Sequence, residues 1–252
     1  MEAVLYICHG SRIKDACDQA ISFVKQCMDQ QDSMIQEYSF LELAEPTIEQ
    51  AFQRCIERGA TSVYVIPVLL LTAAHAKKDI PEILEKLAEQ YPKTEIRYGK
   101  PIGVHDKMVE IVLEKIKESP LSKKKDLFVL LVGRGSSDPD VKLDLGNIAA
   151  LAEKRLSGVH VKDYYLTAAN PSFIEGLEFA KSSVYSNILV IPYLLFTGIL
   201  INSMTKTMQQ YTDGTKQYEL ASYLGYHPFI ADILKERLTE VIEEDNYVCI
   251  NG

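Results

Sequence analysis

Seven positions of this chain correspond to seven others at one fixed separation. His9 aligns with Arg134, Gly10 with Gly135, Ser11 with Ser136, Pro46 with Pro171, Pro67 with Pro192, Thr72 with Thr197 and Tyr98 with Tyr223, each pair 125 residues apart with no gap. Chance produces one such match; seven in one register mark an internal duplication. A chain of 252 residues built this way folds as two domains of one architecture, each closing its own core within about 120 residues.

Each half alternates strand and helix. In the first, Ala3–Cys8, Ile35–Leu41, Val63–Leu71 and Glu95–Tyr98 read as strands. Between them, helical spacing covers Lys14–Gln30, Pro46 to about Arg58 with Gly59 as its stop, and a stretch from near His75 or Lys78 to Gln90; Asp106–Lys117 is a further helix. Pro46 suits a first helical turn, where its missing N–H costs nothing. The run Val63–Leu71 is apolar throughout, as suits a parallel strand covered on both faces. The pattern restarts with strands Leu127–Val132, His160–Leu166 and Ile188–Leu195, after a polar, lysine-rich stretch Glu118–Lys125 that reads as a linker. The expectation is an α/β protein with parallel sheets. Its domains are 1–118, carrying the chemistry, and 126–252.

Bulk properties narrow the function. A net charge of −8 argues against a nucleic-acid surface, and no apolar run is long enough to span a bilayer. Five cysteines without a C-x-x-C pair favour reduced thiols. With no signal-peptide pattern at the N-terminus, a soluble cytoplasmic protein is expected.

Ligands of open α/β sheets bind beyond the carboxyl ends of the strands, and there the two halves differ. The first offers His9, Glu42 and His75 after its first three strands; the second offers Arg134, Thr167 and Leu200 at the same places. Two imidazoles and a carboxylate suit divalent iron, cobalt or nickel and leave coordination positions open. The turns Gly10-Ser11-Arg12 and Arg134-Gly135-Ser136-Ser137 each join a strand to a helix and offer an anion cradle, with Arg12 and Arg134 able to pair with carboxylates. Both turns also read simply as tight strand-to-helix connections. The dinucleotide fingerprint fails, since Asp138 stands where its third glycine belongs. His105 and His160 read as structural, and His227, at a strand end, as a further candidate for the crevice. A Ser–His–Asp hydrolase using Ser11 beside His9 lacks the Gly-x-Ser-x-Gly context.

Four segments carry a family resemblance: His9-Gly10-Ser11-Arg12; Phe40-Leu41-Glu42-Leu43-Ala44-Glu45-Pro46-Thr47-Ile48; Pro67-Val-Leu-Leu-Leu-Thr-Ala-Ala-His75-Ala-Lys-Lys-Asp79-Ile-Pro81; and Gly133-Arg134-Gly135-Ser136-Ser137-Asp138-Pro139-Asp140. Together they resemble the class II chelatases of the sirohydrochlorin chelatase family, most nearly its two-domain iron-inserting members, and the similarity runs end to end. The resemblance implies two tandem flavodoxin-like (Rossmann-like) domains with four-stranded parallel sheets facing a central cleft. It implies insertion of Fe2+ into sirohydrochlorin to give sirohaem, with Fe2+ as substrate and no prosthetic group. The family's metal and catalytic positions fall on His9, Glu42 and His75. For this carboxylate-rich macrocycle the expected anchors are Ser11, Arg12, Arg134, Ser136 and Ser137, with Lys77 and Lys78 as weaker candidates. Cobalt-inserting relatives share the motifs, and Co2+ or Ni2+ remain alternative metals. Some long cobalt versions carry a histidine-rich tract and a cysteine-ligated cluster near the C-terminus; here only Cys249 lies there, which favours iron. A non-catalytic metal or tetrapyrrole carrier is the rival from another class. A monomer is expected.

Overall fold

The computed structural model describes residues 1–29, 34–212, 214–225 and 227–243; Cys249 lies outside them. Its first half runs β1 (Glu2–Cys8), α1 (Lys14–Met28), β2 (Ile35–Phe40), α2 (Ile48–Glu57), β3 (Ser62–Val68), a π-helical turn (His75–Asp79), α3 (Ile80–Gln90), β4 (Glu95–Tyr98) and α4 (Asp106–Glu118). A 3-10 turn (Pro120–Lys123) leads into β5 (Leu127–Gly133), α5 (Pro139–Lys154), β6 (Val159–Tyr165), α6 (Phe173–Ser182), β7 (Asn187–Pro192), α7 (Ile199–Gln209), β8 (Gln217–Leu220) and α8 (Pro228–Glu243). Two four-stranded sheets result, ordered β2-β1-β3-β4 and β6-β5-β7-β8, with every pairing parallel. No described helix is long and apolar enough to cross a membrane.

Helices cover both faces of each sheet, so the inner strands are apolar on both sides. Residues 3–8 of β1 and every residue of β5 are buried. In the first sheet Cys8 is in register with both Phe40 and Val68. The carboxyl ends of three strands are therefore level, and the segments that follow them emerge together.

Pairing ends earlier than the apolar runs suggest. β3 stops at Val68 and β7 at Pro192, three residues short of the expected Leu71 and Leu195. The cause is the partner strand: β1 turns away after Cys8, leaving nothing for residues beyond Val68 to pair with. The carbonyls of Leu69 and Leu70 instead accept from the amides of Ile102 and Gly103 at 3.0 and 2.9 Å. The Leu69 side chain stays in the core. Pro46 likewise differs from expectation, lying ahead of α2 rather than in its first turn. Thr47 is the cap, its hydroxyl accepting from the Gln50 amide at 3.3 Å while the Gln50 side chain accepts from the Thr47 amide at 2.9 Å. Ser172 and Glu175 repeat this box at α6.

The duplication holds through the third strand of each half and then shifts. Ser62 and Asn187, 125 apart, pair with Glu95 and Gln217, which are 122 apart. Tyr98, opposite Val65, therefore has Leu220, opposite Val190, as its structural counterpart. The match of Tyr98 with Tyr223 is coincidental.

The compact units also differ from the boundaries 1–118 and 126–252. One comprises Met1–Gly103 with the segment from Ile230 onward; the other is Val104–Phe229. Each half thus gives its last helix to the other unit. α8 joins the first, where Arg237 donates to the carbonyls of Pro101 and Ile102 at 3.0 Å each and Arg97 donates to those of Val241 and Ile242 at 3.2 Å. α4 joins the second, where Arg155 pairs with Asp106 and Glu110 at 2.8 and 2.7 Å. The expected linker is ordered there: Leu121 is buried and the Ser119 hydroxyl donates to Glu219 at 2.6 Å.

Candidate metal centre

Three side chains of the first unit converge beyond β1, β2 and β3. One ligand atom from each of His9, Glu42 and His75 can be chosen so that all lie within 4.8 Å of one another. Ligands held at about 2.1 Å from a shared ion lie at most about 4.2 Å apart, so small side-chain rotations close the set around a metal.

Backbone interlocking holds the first two together. Leu41 and Glu42 donate to the carbonyls of Cys8 and His9 at 2.8 and 3.1 Å, continuing the β1–β2 ladder into the turn. Gly10 allows this approach: its φ is +93°, and a Cβ there would stand 1.8 Å from the Glu42 carbonyl oxygen. Leu43, next to the carboxylate, takes a left-handed φ of 63° with half its surface exposed. The second unit keeps this backbone. Gly135 has φ +90° with its Cβ position 1.9 Å from the Thr167 oxygen, and Ala168, the counterpart of Leu43, has φ 52°. Duplication preserved the turn geometry while the side chains diverged.

His75 opens the π-helical turn that joins the loop after β3 to α3. Such turns are rare and recur at functional sites. Its Nδ1 lies 2.7 Å from Oδ2 of Asp79; Nδ1 of His9 lies 3.2 Å from the Gly10 carbonyl oxygen. Neither oxygen can donate, so in the neutral rings both Nδ1 atoms carry the proton and both Nε2 atoms present lone pairs, the arrangement that orients metal-binding imidazoles. Nε2 of His9 faces Oε1 of Glu42 at 3.6 Å, and the two rings meet edge to face with centroids 4.9 Å apart. The side chains are 29% (His9), 43% (Glu42) and 30% (His75) exposed, so the set faces outward on one side with coordination positions to spare. Cys8, the residue before His9, is buried and outside the ligand group; burial first and the neighbouring Cys27 and Cys17 next push its thiol up to about 12.

The other expected site residues have more local partners. The hydroxyl of Ser11 accepts from the Ile13 amide at 3.1 Å and that of Ser136 from the Asp138 amide at 3.1 Å, so both serines brace their turns. Arg12, Arg134 and Ser137 are exposed, as are Lys77 and Lys78, the latter 3.9 Å from Glu82. His105 caps α4, accepting from the Lys107 amide at 3.1 Å. His160 stacks on Phe128 and pairs with Glu153 at 2.9 Å. His227 has both ring nitrogens engaged within the second unit, with Glu114 at 2.7 Å and the Phe229 amide at 3.2 Å. Sequence reasoning missed Asp79, although its place four residues after a histidine is the one available signal.

Comparison with known proteins follows the duplication. The sequence pattern of the CbiX family matches twice, over residues 3–119 and 128–241. A sirohydrochlorin ferrochelatase of Priestia megaterium is 50% identical over 242 residues, covering 96% of this chain and 91% of that protein. A sirohydrochlorin cobaltochelatase of the same organism is 35% identical, covering 96% and 81%. Among solved structures, SirB from Bacillus subtilis with Fe3+ superposes with a TM-score of 0.85 at 40% identity, covering 96% of each chain. The sirohydrochlorin chelatase SirB of Bacillus subtilis subspecies spizizenii in complex with cobalt gives 0.83 at 39% identity, covering 97% of this chain and 96% of that one.

Proposed function

The chain belongs to the CbiX family, and from that premise we propose that it is a sirohydrochlorin ferrochelatase, taking Fe2+ and sirohydrochlorin as substrates and releasing sirohaem. The observation that carries this reading is the group of His9, Glu42 and His75, with both imidazoles fixed to present Nε2. The greater similarity to the ferrochelatase than to the cobaltochelatase, 50% against 35% identity, favours iron.

In this mechanism the three side chains hold Fe2+ loosely enough to give it up, since two histidines and one carboxylate leave the remaining positions to water and then to the macrocycle. Insertion must also remove the pyrrole N–H protons, which become acidic only as the metal approaches. An imidazole is the natural acceptor near neutral pH: once Nε2 of His9 has released the metal to the macrocycle its lone pair can take a proton, with the Glu42 carboxylate 3.6 Å away to pass it to. Arg12 and Arg134 pair with the substrate's carboxylates, and the turns bearing Ser11, Ser136 and Ser137 offer further donors. The first unit carries the metal chemistry. The protein works as a cytoplasmic monomer without a prosthetic group.

The test is anaerobic absorbance of sirohydrochlorin with catalytic enzyme and Fe2+ or Co2+. Wild type turns over many times, while His9→Ala, His75→Ala and Glu42→Gln each lose about a hundredfold or more. A higher specificity constant with Co2+ would reassign the metal. Stoichiometric binding without turnover would make the protein a carrier.

A further inference from the structure

The π-helical turn that presents His75 depends on a hydrogen bond from outside it. Within the turn the Ile80 amide donates to the His75 carbonyl, five residues back. That leaves the next carbonyl, of Ala76, without a backbone donor in either register. A helical i to i+4 bond would need the Ile80 amide, already used, and an i to i+5 bond would need the amide of Pro81, which has none. Ala76 is 5% exposed, and a buried carbonyl left unpaired is costly. The hydroxyl of Tyr98, at the carboxyl end of β4, donates to it at 2.9 Å. Burial raises the pKa of this phenol, so it remains a donor.

The second unit supplies the contrast. There Leu220 stands in the place of Tyr98, no π turn precedes α7, and Leu200 stands where His75 would be. Hydroxyl, π turn and histidine are absent together. We infer that Tyr98 is a positioning residue for His75, holding the π register in which Asp79 meets Nδ1 and Nε2 faces the metal. Without the hydroxyl the Ile80 amide shifts to the Ala76 carbonyl. The turn then tightens to α-helix, swinging the preceding residues about 100° around the helix axis and taking His75 out of the ligand set.

The inference rests on the metal-site reading above, and the experiment separates the two. Co2+ is titrated anaerobically into the full-length protein and followed by its visible absorption. Tyr98→Phe should weaken binding about tenfold or more and add nothing in a His75→Ala background, since both changes remove one ligand. Tyr64→Phe, which deletes the 2.8 Å bond of another core tyrosine to Glu2, should leave affinity unchanged. A check that needs no variant is the 15N imidazole spectrum of the wild type, where neutral His75 should carry its proton on Nδ1. Wild-type affinity in Tyr98→Phe, an equal loss in the His75→Ala background, or a proton on Nε2 of His75 overturns the inference. Unchanged affinity in His75→Ala alone overturns the metal site and this inference with it.

Discussion

Gly10 ties the site to its scaffold. Alanine there must adopt a φ of +93° and also push the Glu42 carbonyl away from a 1.8 Å contact. Gly158→Ala meets only the first demand, with φ +75° and nothing within 4 Å, and should cost about 1–2 kcal/mol. Gly10→Ala should cost clearly more, about 3 kcal/mol or above, in urea unfolding, and should weaken Co2+ binding by parting His9 from Glu42. Equal losses for the two variants would show that the interlock with Glu42 carries no energy. Asp79→Asn tests the second contact of His75: an amide has only one acceptor oxygen and can turn its NH2 toward Nδ1, so Co2+ affinity should fall about tenfold. The three candidate ligands stood out in the sequence because each follows a strand end of a repeat whose other copy lacks it. Asp79 left one signal, its place four residues after His75, where helical side chains meet; Tyr98 left none, because its role exists only in a π register that no side-chain periodicity announces.

At the scale of elements, β1, α1 and α2 each bury a thiol. Burial is the leading cause that pushes Cys8, Cys27 and Cys55 up to about 12, so at pH 8 all three should resist N-ethylmaleimide in the native protein and react on unfolding, as peptide mapping would report. The same shift gives an alkaline limit. Below pH 9 these thiols are protonated in both states and favour neither. Above it the unfolded chain releases protons that the folded chain keeps, so each fully shifted thiol lowers stability by about 1.4 kcal/mol per pH unit until its folded value is passed. Urea midpoints should therefore fall between pH 9 and 12, and less steeply in Cys8→Ser if that variant folds. Strand identity was legible from composition, strand length was not: Leu69 to Leu71 are as apolar as the residues before them, and pairing ended only because β1 turned away at Gly10.

For the whole molecule, the exchange of terminal helices couples distant parts of the chain. Arg237 satisfies the carbonyls of Pro101 and Ile102, some 135 positions earlier, at the point where the chain leaves the first unit. Arg237→Ala should cost about 2 kcal/mol. Hydrogen exchange should rise in β4 and the segment after it, with α4 and β5 unaffected. Exchange that rose only within α8, or only in the second unit, would contradict this assignment. The two-domain organisation itself was legible in the 125-residue repeat. The membership of α4 and α8 was not, because an apolar helical stripe records that one face is buried and says nothing of which sheet buries it.

The sequence by itself determined the repeat, the order of strands and helices, and the three chemical groups at the strand ends, since these follow from side-chain types at local spacings. The tertiary structure decided where pairing stops, which sheet receives each terminal helix, which ring nitrogens of His9 and His75 face outward, and the π turn that presents His75. The strand ends, the helix docking and the π turn depend on partners supplied from far along the chain, of which local patterning carries no trace. The two rings take their acceptors from Gly10 and Asp79 nearby, but in backbone conformations that contacts with Glu42 and Tyr98 accompany.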